Sequence, residues 1–270
     1  MAEPVSIVVA SYNYERFIEQ TLQSIQRQSS PDWEALVVDD GSSDGSADLI
    51  RRFCDVDPRF RLLQHPGGVN GGLAATLQLG IRSAMHPWIA FCESDDWWEP
   101  TFLQQLSDAG ARKPRCGVLF SDVILEGRSA SMEAHSALVR AHFRSGGHAL
   151  ELYQSMKNAV PTMSSAFVRA DLIRTCDFNA RFQPSLDMWL WAQLVVRTEF
   201  LFVDLPLCHW RQHEASYMKK AVDPGRLDMG SVRAFHEEIR SLLRGARSSS
   251  AARAGFLQRW LRKFGQPPGK

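Results

Sequence analysis

The sequence of 270 residues has no closely spaced cysteine pair, no apolar run long enough to cross a bilayer and no excess of charge of one sign. Its five cysteines, Cys54, Cys92, Cys116, Cys176 and Cys208, are scattered and odd in number. Without a CxxC pair they form neither a zinc ribbon nor a disulfide framework, and free thiols suit a reducing compartment. Every apolar run falls far short of the ~20 residues that a membrane helix requires. The start, MAEPVSIVVASYN, lacks the basic region and long apolar core of a secretory leader. A net charge of +1 directs no global field at nucleic acid. Also missing are a GxxxxGKS/T loop, which excludes a P-loop nucleotide hydrolase, and a GxGxxG after the first strand, which weakens a dinucleotide-binding reading. The expectation is a soluble, cytoplasmic chain forming one large domain or one and a half, with 44% hydrophobic residues to fill its core.

What is present is organised around Trp88–Pro100, WIAFCESDDWWEP. Trp88 to Cys92 read as a buried strand. Glu93, Asp95 and Asp96 follow at once. Clustered carboxylates at a strand end lose solvation and repel one another. A divalent cation with oxygen ligands removes that conflict; so does a solvated acidic turn that caps a helix starting near Pro100. Both readings stand at this point.

Ahead of that stretch, apolar strands alternate with helices. Ser6 to Ala10, Ala35 to Val38 and Arg61 to Gln64 read as strands. Helices are expected from Tyr14 to Gln28, through Leu49, Ile50 and Phe53, and through Leu73, Leu77 and Ile81. Gly117 to Phe120 is a further strand. Continuous apolar strands of this kind belong to a parallel sheet covered on both faces, whose strand-to-helix turns line one cleft. After residue 122 the alternation stops. Ser129 to Ser145 reads as a loop or short helix, Ala149 to Lys157 as a helix, Ser165 to Arg169 as a strand and Leu186 to Val196 as a helix. Phe200 to Val203 and Leu207 to Trp210 are two more strands. Past Tyr217 a helical pattern from Leu227 to Leu243 leads into a basic tail with no acid after Glu238.

Several turns carry candidate chemistry. Asp39 and Asp40 end the second strand, where a carboxylate can accept a hydrogen bond from a nucleotide ring N–H or sugar hydroxyl, or make an ordinary turn. Asp44 reads as a helix cap. Tyr12, beside Ser11, can stack on a base or simply pack. The glycines around Asn70 let backbone approach a diphosphate. Asp187 opens the run DMWLWAQL, either as a dipole partner of that helix or as a proton acceptor facing the cleft. His209, Arg211 and His213 alternate, so they share a strand face, towards a metal or phosphate or on an exposed edge.

Taken together, SIVVASYNYERFIEQTLQSIQRQS, ALVVDDGSSDGS, NGGLAATLQLGI and ESDDWWEP resemble the family 2 inverting glycosyltransferases, over roughly residues 4–215. The resemblance implies a GT-A type α/β fold, a Rossmann-like mostly parallel sheet flanked by helices, here with a C-terminal helical extension. It implies a donor-binding half over 1–122, an acceptor-binding half over 123–215 and a basic extension over 216–270. Tyr12 and Asp40 match the positions that hold the base, with Ser11, Asp39, Asn70 and Asp95 completing the nucleotide site. Asp96 and Asp95 match the pair that binds Mn or Mg, Asp96 as the more direct ligand. Glu93 reaches the sugar or ribose. SLDMWLWAQL places Asp187 as general base, and RQHEAS makes His213 a contact to metal or diphosphate. Three positions depart from the pattern: Leu186 where Glu is usual, Gln193 where a basic residue is usual and Ala10 where a hydrogen-bonding residue is common.

The implied function is transfer of a sugar from a UDP- or dTDP-linked donor to a hydroxyl on a glycan or lipid-linked acceptor, in bacterial surface polysaccharide or glycoconjugate synthesis. The competing readings are a non-catalytic nucleotide-sugar binder and a metal-dependent nucleotidyltransferase. The latter calls for a basic glycine-rich loop after the first strand, which SYNYERF is not. Phe256, Leu257, Trp260, Leu261 and Phe264 recur at helical spacing among basic residues, so 246–270 suit either peripheral contact with an anionic membrane or packing on the domain itself.

Overall fold

The structure, a computed structural model, describes residues 3–127, 129–178, 185–213 and 229–246. Eight strands form one sheet, in the spatial order Phe60–Gln64, Trp33–Asp39, Val5–Ser11, Trp88–Phe91, Ala166–Arg169, Cys116–Glu126, Glu199–Arg211 and Trp97–Trp98. The apolar runs at the start of the chain become β1 (Val5–Ser11), β2 (Trp33–Asp39), β3 (Phe60–Gln64) and β4 (Trp88–Phe91), all parallel. Between them run α1 (Glu15–Gln26), α2 (Ser46–Val56) and α3 (Leu73–Ser83). Successive strand residues point to opposite faces. Ile7, Val9, Ala35 and Val37 therefore enter a core with Ile18, Leu22, Ile25 and Ile50 from α1 and α2, together with α4 (Phe102–Arg112). Val8, Leu36, Ile89 and Phe91 enter a second core on the opposite face, against α3 and the later helices.

The mixed part of the sheet follows the loss of regular alternation. β7 (Ala166–Arg169) is antiparallel to both β4 and β6 (Cys116–Glu126), and β6 is parallel to β8 (Glu199–Arg211). One sheet thus joins the two expected halves, and the boundary expected at residue 122 falls inside β6. β8 runs unbroken where two strands are expected. Pro206 offers no N–H to the ladder and sits opposite Asp122 at a register shift, so a bulge absorbs it. Trp97–Trp98 forms a two-residue strand, β5, against His209 and Cys208.

Ser129–Ser145, read as a loop or short helix, is instead the 15-residue helix α5 (Ala130–Arg144). It buries only Ser136 and Val139, which leaves little periodic signal. Phe143 anchors it on Phe120 and Phe202, at ring-centroid distances of 5.2 and 5.5 Å. After it come α6 (Ala149–Gln154), α7 (Ala170–Ile173) and α8 (Leu186–Val195). Eight of the ten residues of α8 are buried, as its uniformly apolar sequence requires. Helix α9 (Met229–Ala246) packs on it and on α6, burying Phe235, Ile239 and Leu243. Trp191 of α8 is fully buried and meets Phe91 edge-on, so α8 is fastened to the strand that leads into the acidic turn.

Candidate active site

Register brings the strand ends together. Ser11 pairs with Asp39 across β1 and β2, and β4 lies on the other side of β1. Both Ser11 Oγ and Asp39 Oδ1 are buried and have no hydrogen-bond partner among the described residues. The other oxygen of Asp39 accepts from Gln64 Nε2 at 3.0 Å and from Ser42 N at 3.3 Å. Asp40, expected at the base, has both oxygens on backbone N–H groups: Gly71 N at 2.6 Å and Gly72 N at 3.0 Å. Its carboxylate holds the segment His65–Gly72 against the sheet. His65 Nε2 lies 3.3 Å from the same carboxylate and 3.1 Å from Thr76 Oγ1. Gly41 adopts φ +75°, and a Cβ there would stand 2.7 Å from Gly68 O, so this approach needs glycine. Asn70 lies exposed in that segment and Tyr12 is 47% exposed beyond β1, both free to meet a ligand. Asp44 caps two helices at once: its oxygens accept from Ser46 N at 3.0 Å and Glu15 N at 3.1 Å.

The acidic turn after β4 is held from several directions. Thr21 Oγ1 donates to Ser94 O (2.9 Å) and Asp96 O (2.7 Å). Ser94 Oγ donates to Ala10 O at 2.5 Å, so Ala10 takes part through its carbonyl. From the far side, Ser164 Oγ accepts from Glu93 N at 2.9 Å, and Thr162 Oγ1 donates to Glu93 Oε2 at 2.9 Å. Trp98 Nε1 closes the frame on Ser164 O at 2.7 Å. Sequence reasoning missed Thr162 and Ser164, which lie about 70 residues from the turn they support. PTMSS offered only a run of small hydroxyl residues as a signal.

The three carboxylates differ. Asp96 is buried, with Oδ1 accepting from Arg211 N at 2.9 Å and Oδ2 without a partner among the described residues. Burial, and then Asp95 and Glu93, push its carboxyl well above the ordinary range. Asp95 Oδ2 meets His213 Nε2 at 2.9 Å. His213 packs on Phe17 at 4.4 Å, and Arg211 lies between the rings of Phe17 and Trp97 at 4.6 Å from each. Thus Asp95, Asp96 and His213, expected around a cation, are brought together as hydrogen-bonded pairs. Among the described residues no three His, Cys, Asp or Glu side chains form a ready cation cage. The donor set nevertheless fits one: clustered hard oxygens, a buried carboxylate oxygen lacking a partner, and a buried His213 Nδ1 lacking one too. His209 shares the face of Arg211 and His213 but is engaged elsewhere. It stacks on Trp97 at 4.5 Å, between Glu99 (2.8 Å) and Glu126 (2.9 Å).

Burial and the neighbouring Asp95 raise the Glu93 carboxyl to about 8, and Asp187 adds to the shift. Between the ordinary carboxylate range and about 8, the folded chain therefore holds a proton on Glu93 that the unfolded chain has released. Folding takes up protons there, so stability falls as pH rises through the window. Without added divalent cation, the melting temperature should decline from pH 5 to pH 8, and Glu93→Gln should flatten that slope. Thermal scans of the two proteins across pH check this; an unchanged slope in the variant refutes it.

Asp187 faces the turn from α8, in that helix's first turn, where negative charge is favoured. Burial raises its carboxyl above the ordinary range, and Asn158 Nδ2 donates to its Oδ2 at 2.9 Å. Leu186, in place of the expected Glu, is core. Gln193 does not point at the site. It bonds Asp177 N at 2.8 Å and Asp177 O at 3.0 Å, pinning the chain ahead of α8.

Comparison with known proteins bears on the family and the fold. The family model described as Glycosyl transferase family 2 matches residues 6–171. EpsH of Bacillus subtilis (strain 168), named as a glycosyltransferase, is 38% identical over 102 residues, 38% of this chain and 29% of EpsH. TuaG of the same organism, named for teichuronic acid biosynthesis, is 34% identical over 101 residues, 37% of this chain and 39% of TuaG. The match therefore spans well under half the length of either relative. Among solved structures, TarS 1–349 of S. aureus in complex with UDP superposes with a TM-score of 0.66 at 15% identity, covering 96% of this chain and 71% of that one. The mannosyltransferase PcManGT of Pyrobaculum calidifontis, in complex with GDP-Man and Mn2+, gives 0.62 at 15% identity, covering 99% and 82%. At such identities the two structures speak to the fold alone.

Proposed function

The chain belongs to glycosyl transferase family 2, with its GT-A fold, and we propose that it transfers a sugar from a nucleotide-sugar to a hydroxyl acceptor with inversion at the anomeric carbon. One observation carries the reading: a single short segment holds both carboxylates, Asn158 donating to Asp187 of α8 and Thr162 to Glu93 of the acidic turn after β4, each at 2.9 Å. A donor and an acceptor held between them present the two ends of a displacement.

The nucleotide lies along the ends of β1, β2 and β4. Ser11 and Asp39 supply the buried oxygens that meet base or ribose. Tyr12 covers the base, and Asn70 on the glycine segment held by Asp40 approaches the diphosphate. Asp95, with His213 and the free oxygen of Asp96, is where Mn or Mg would be held, and Glu93 reaches the sugar. A divalent cation there would offset charge on the departing diphosphate. Asp187 accepts the proton of the acceptor hydroxyl. The hydroxyl oxygen bonds to the anomeric carbon from the face opposite the diphosphate, whose carbon–oxygen bond breaks, so the nucleoside diphosphate leaves with that electron pair. No covalent enzyme intermediate is required.

In this reading residues 1–122 bind the donor and 123–215 the acceptor, with 216–270 a basic extension. UDP- and dTDP-linked donors fit the reading, and TuaG's name favours a cell-surface glycan or its lipid-linked precursor as acceptor. Among the described residues no helix is long and apolar enough to cross a membrane. The apolar–basic pattern proposed for peripheral membrane contact, 246–270, lies outside the described side chains.

A panel of UDP-, dTDP- and GDP-sugars, scored by thermal stabilisation with and without Mn2+ and by release of nucleoside diphosphate, tests the proposal. Mn2+-dependent stabilisation by one donor, with slow release of its diphosphate, is expected. Binding without any release would instead make the chain a nucleotide-sugar binder, and no stabilisation by any donor would refute the reading.

A further inference from the structure

Asn158 lies in KNAVPTMSS, a stretch with no catalytic pattern, yet its side chain is the hydrogen-bond donor to Asp187 Oδ2, at 2.9 Å. The amide can point only one way. Val160 N is a backbone donor and lies 3.2 Å from Asn158 Oδ1, so that atom must be the carbonyl oxygen. Tyr153 OH donates to the same oxygen at 2.5 Å. With two donors on Oδ1, the NH2 group is left facing the carboxylate. Tyr153 is fully buried, and burial together with Asp187 holds its phenol well above the ordinary range, so it stays a donor.

The backbone is shaped to make this contact. Helix α6 ends with Lys157 N donating to Leu152 O at 2.9 Å and Met156 N to Tyr153 O at 2.9 Å. That closure puts Met156 at φ +55°, a left-handed conformation that glycine usually takes. The left-handed turn two positions before Asn158 brings that amide to the carboxylate of Asp187. Among the described residues, the titratable groups whose ionisation Asp187 influences are Glu93 in the turn after β4 and Tyr153 of α6.

We propose that Asn158, oriented by Tyr153 and Val160 N–H, is the positioning residue of the general base: it fixes the Asp187 carboxylate towards the acceptor and favours its ionised form. This rests on Asp187 as base. Removing the donor should leave Asp187 harder to ionise and free to rotate. Asn158→Ala should therefore cut turnover at pH 6 on the order of 10-fold, with a smaller loss at pH 9, because the acid limb moves upward. Asn158→Asp keeps the shape without the donor and adds a like charge, so it should move the limb at least as far. Tyr153→Phe should do the same more weakly, since Val160 N–H still holds the amide.

Two measurements on the full chain decide it. The first is the pH profile of UDP release from UDP-glucose or UDP-N-acetylglucosamine, water serving as acceptor. The second needs no donor: the carbon-13 carboxyl titration of Asp187, identified by its loss in Asp187→Asn. An upward midpoint in Asn158→Ala or Asn158→Asp supports the assignment. A wild-type midpoint in both overturns it, and leaves the proposed function standing if Asp187→Asn has lost turnover. Undiminished turnover in Asp187→Asn overturns the assignment of Asp187 as the base, on which this proposal rests.

Discussion

Asp187→Asn should lose sugar transfer by a factor on the order of 10²–10⁴, the usual worth of a positioned general base, while donor binding changes by less than about twofold. The amide keeps the size of the carboxyl and can still sit at the start of α8, but it cannot accept the acceptor proton. Among the described residues, no hydrogen bond of the Asp187 side chain reaches the ends of β1 and β2, where the nucleotide is proposed to lie; it accepts from Asn158. Turnover and affinity should therefore separate. The wild-type pH profile carries a second mark of the same residue. Burial raises the Asp187 carboxyl, and the base works only when ionised, so the acid limb should lie above the ordinary carboxylate range. Steady-state turnover across pH, with titration calorimetry of the donor, checks both. Equal losses of affinity and rate would move Asp187 out of the chemical step.

Asp95→Ala should abolish the effect of Mn2+ on donor binding, weakening it at least about tenfold, with little loss of stability in the ligand-free protein. Among the described residues Asp95 hydrogen-bonds the His213 side chain and no backbone group. Asp96→Ala should behave differently, because Asp96 Oδ1 also accepts from Arg211 N at the end of β8. Leaving that buried donor unsatisfied costs about 1–3 kcal/mol, so this variant should lose thermal stability as well as Mn2+ dependence. Melting curves and donor titrations, each with and without Mn2+, separate the two carboxylates. Asp95→Ala with undiminished Mn2+ dependence would shift the ligand role to Asp96 alone.

Much of this arrangement was legible from residue order. The runs SIVVA, ALVV and WIAFC gave the parallel strands, because a strand buried on both faces must be apolar throughout. Their polar ends marked one sheet edge, and Glu93, Asp95, Asp96 and Asp187 were visible as carboxylates at element ends, where a solvated turn or a helix cap explained them as well as a site did. What stayed hidden depended on contacts across the fold. Asp39 ends β2 and Asp40 follows it, and only the fold shows that Asp39 meets Gln64 while Asp40 meets Gly71 and Gly72. Helix α5 has too narrow a buried stripe to announce itself. Asn158 and Thr162 are ordinary polar residues until the fold lays the segment between α6 and β7 beside Asp187 and Glu93. Gln193 looked like a lost basic group and proved to hold the chain at Asp177.

Anomalous scattering at the manganese edge, from crystals soaked with MnCl2 and UDP, tests the central claim most directly. The account predicts a single peak about 2–2.5 Å from the Asp96 or the Asp95 carboxylate, with the uridine along the ends of β1 and β2 and Asp187 across the cleft. A manganese peak away from both Asp95 and Asp96, or UDP bound elsewhere on the molecule, would contradict it.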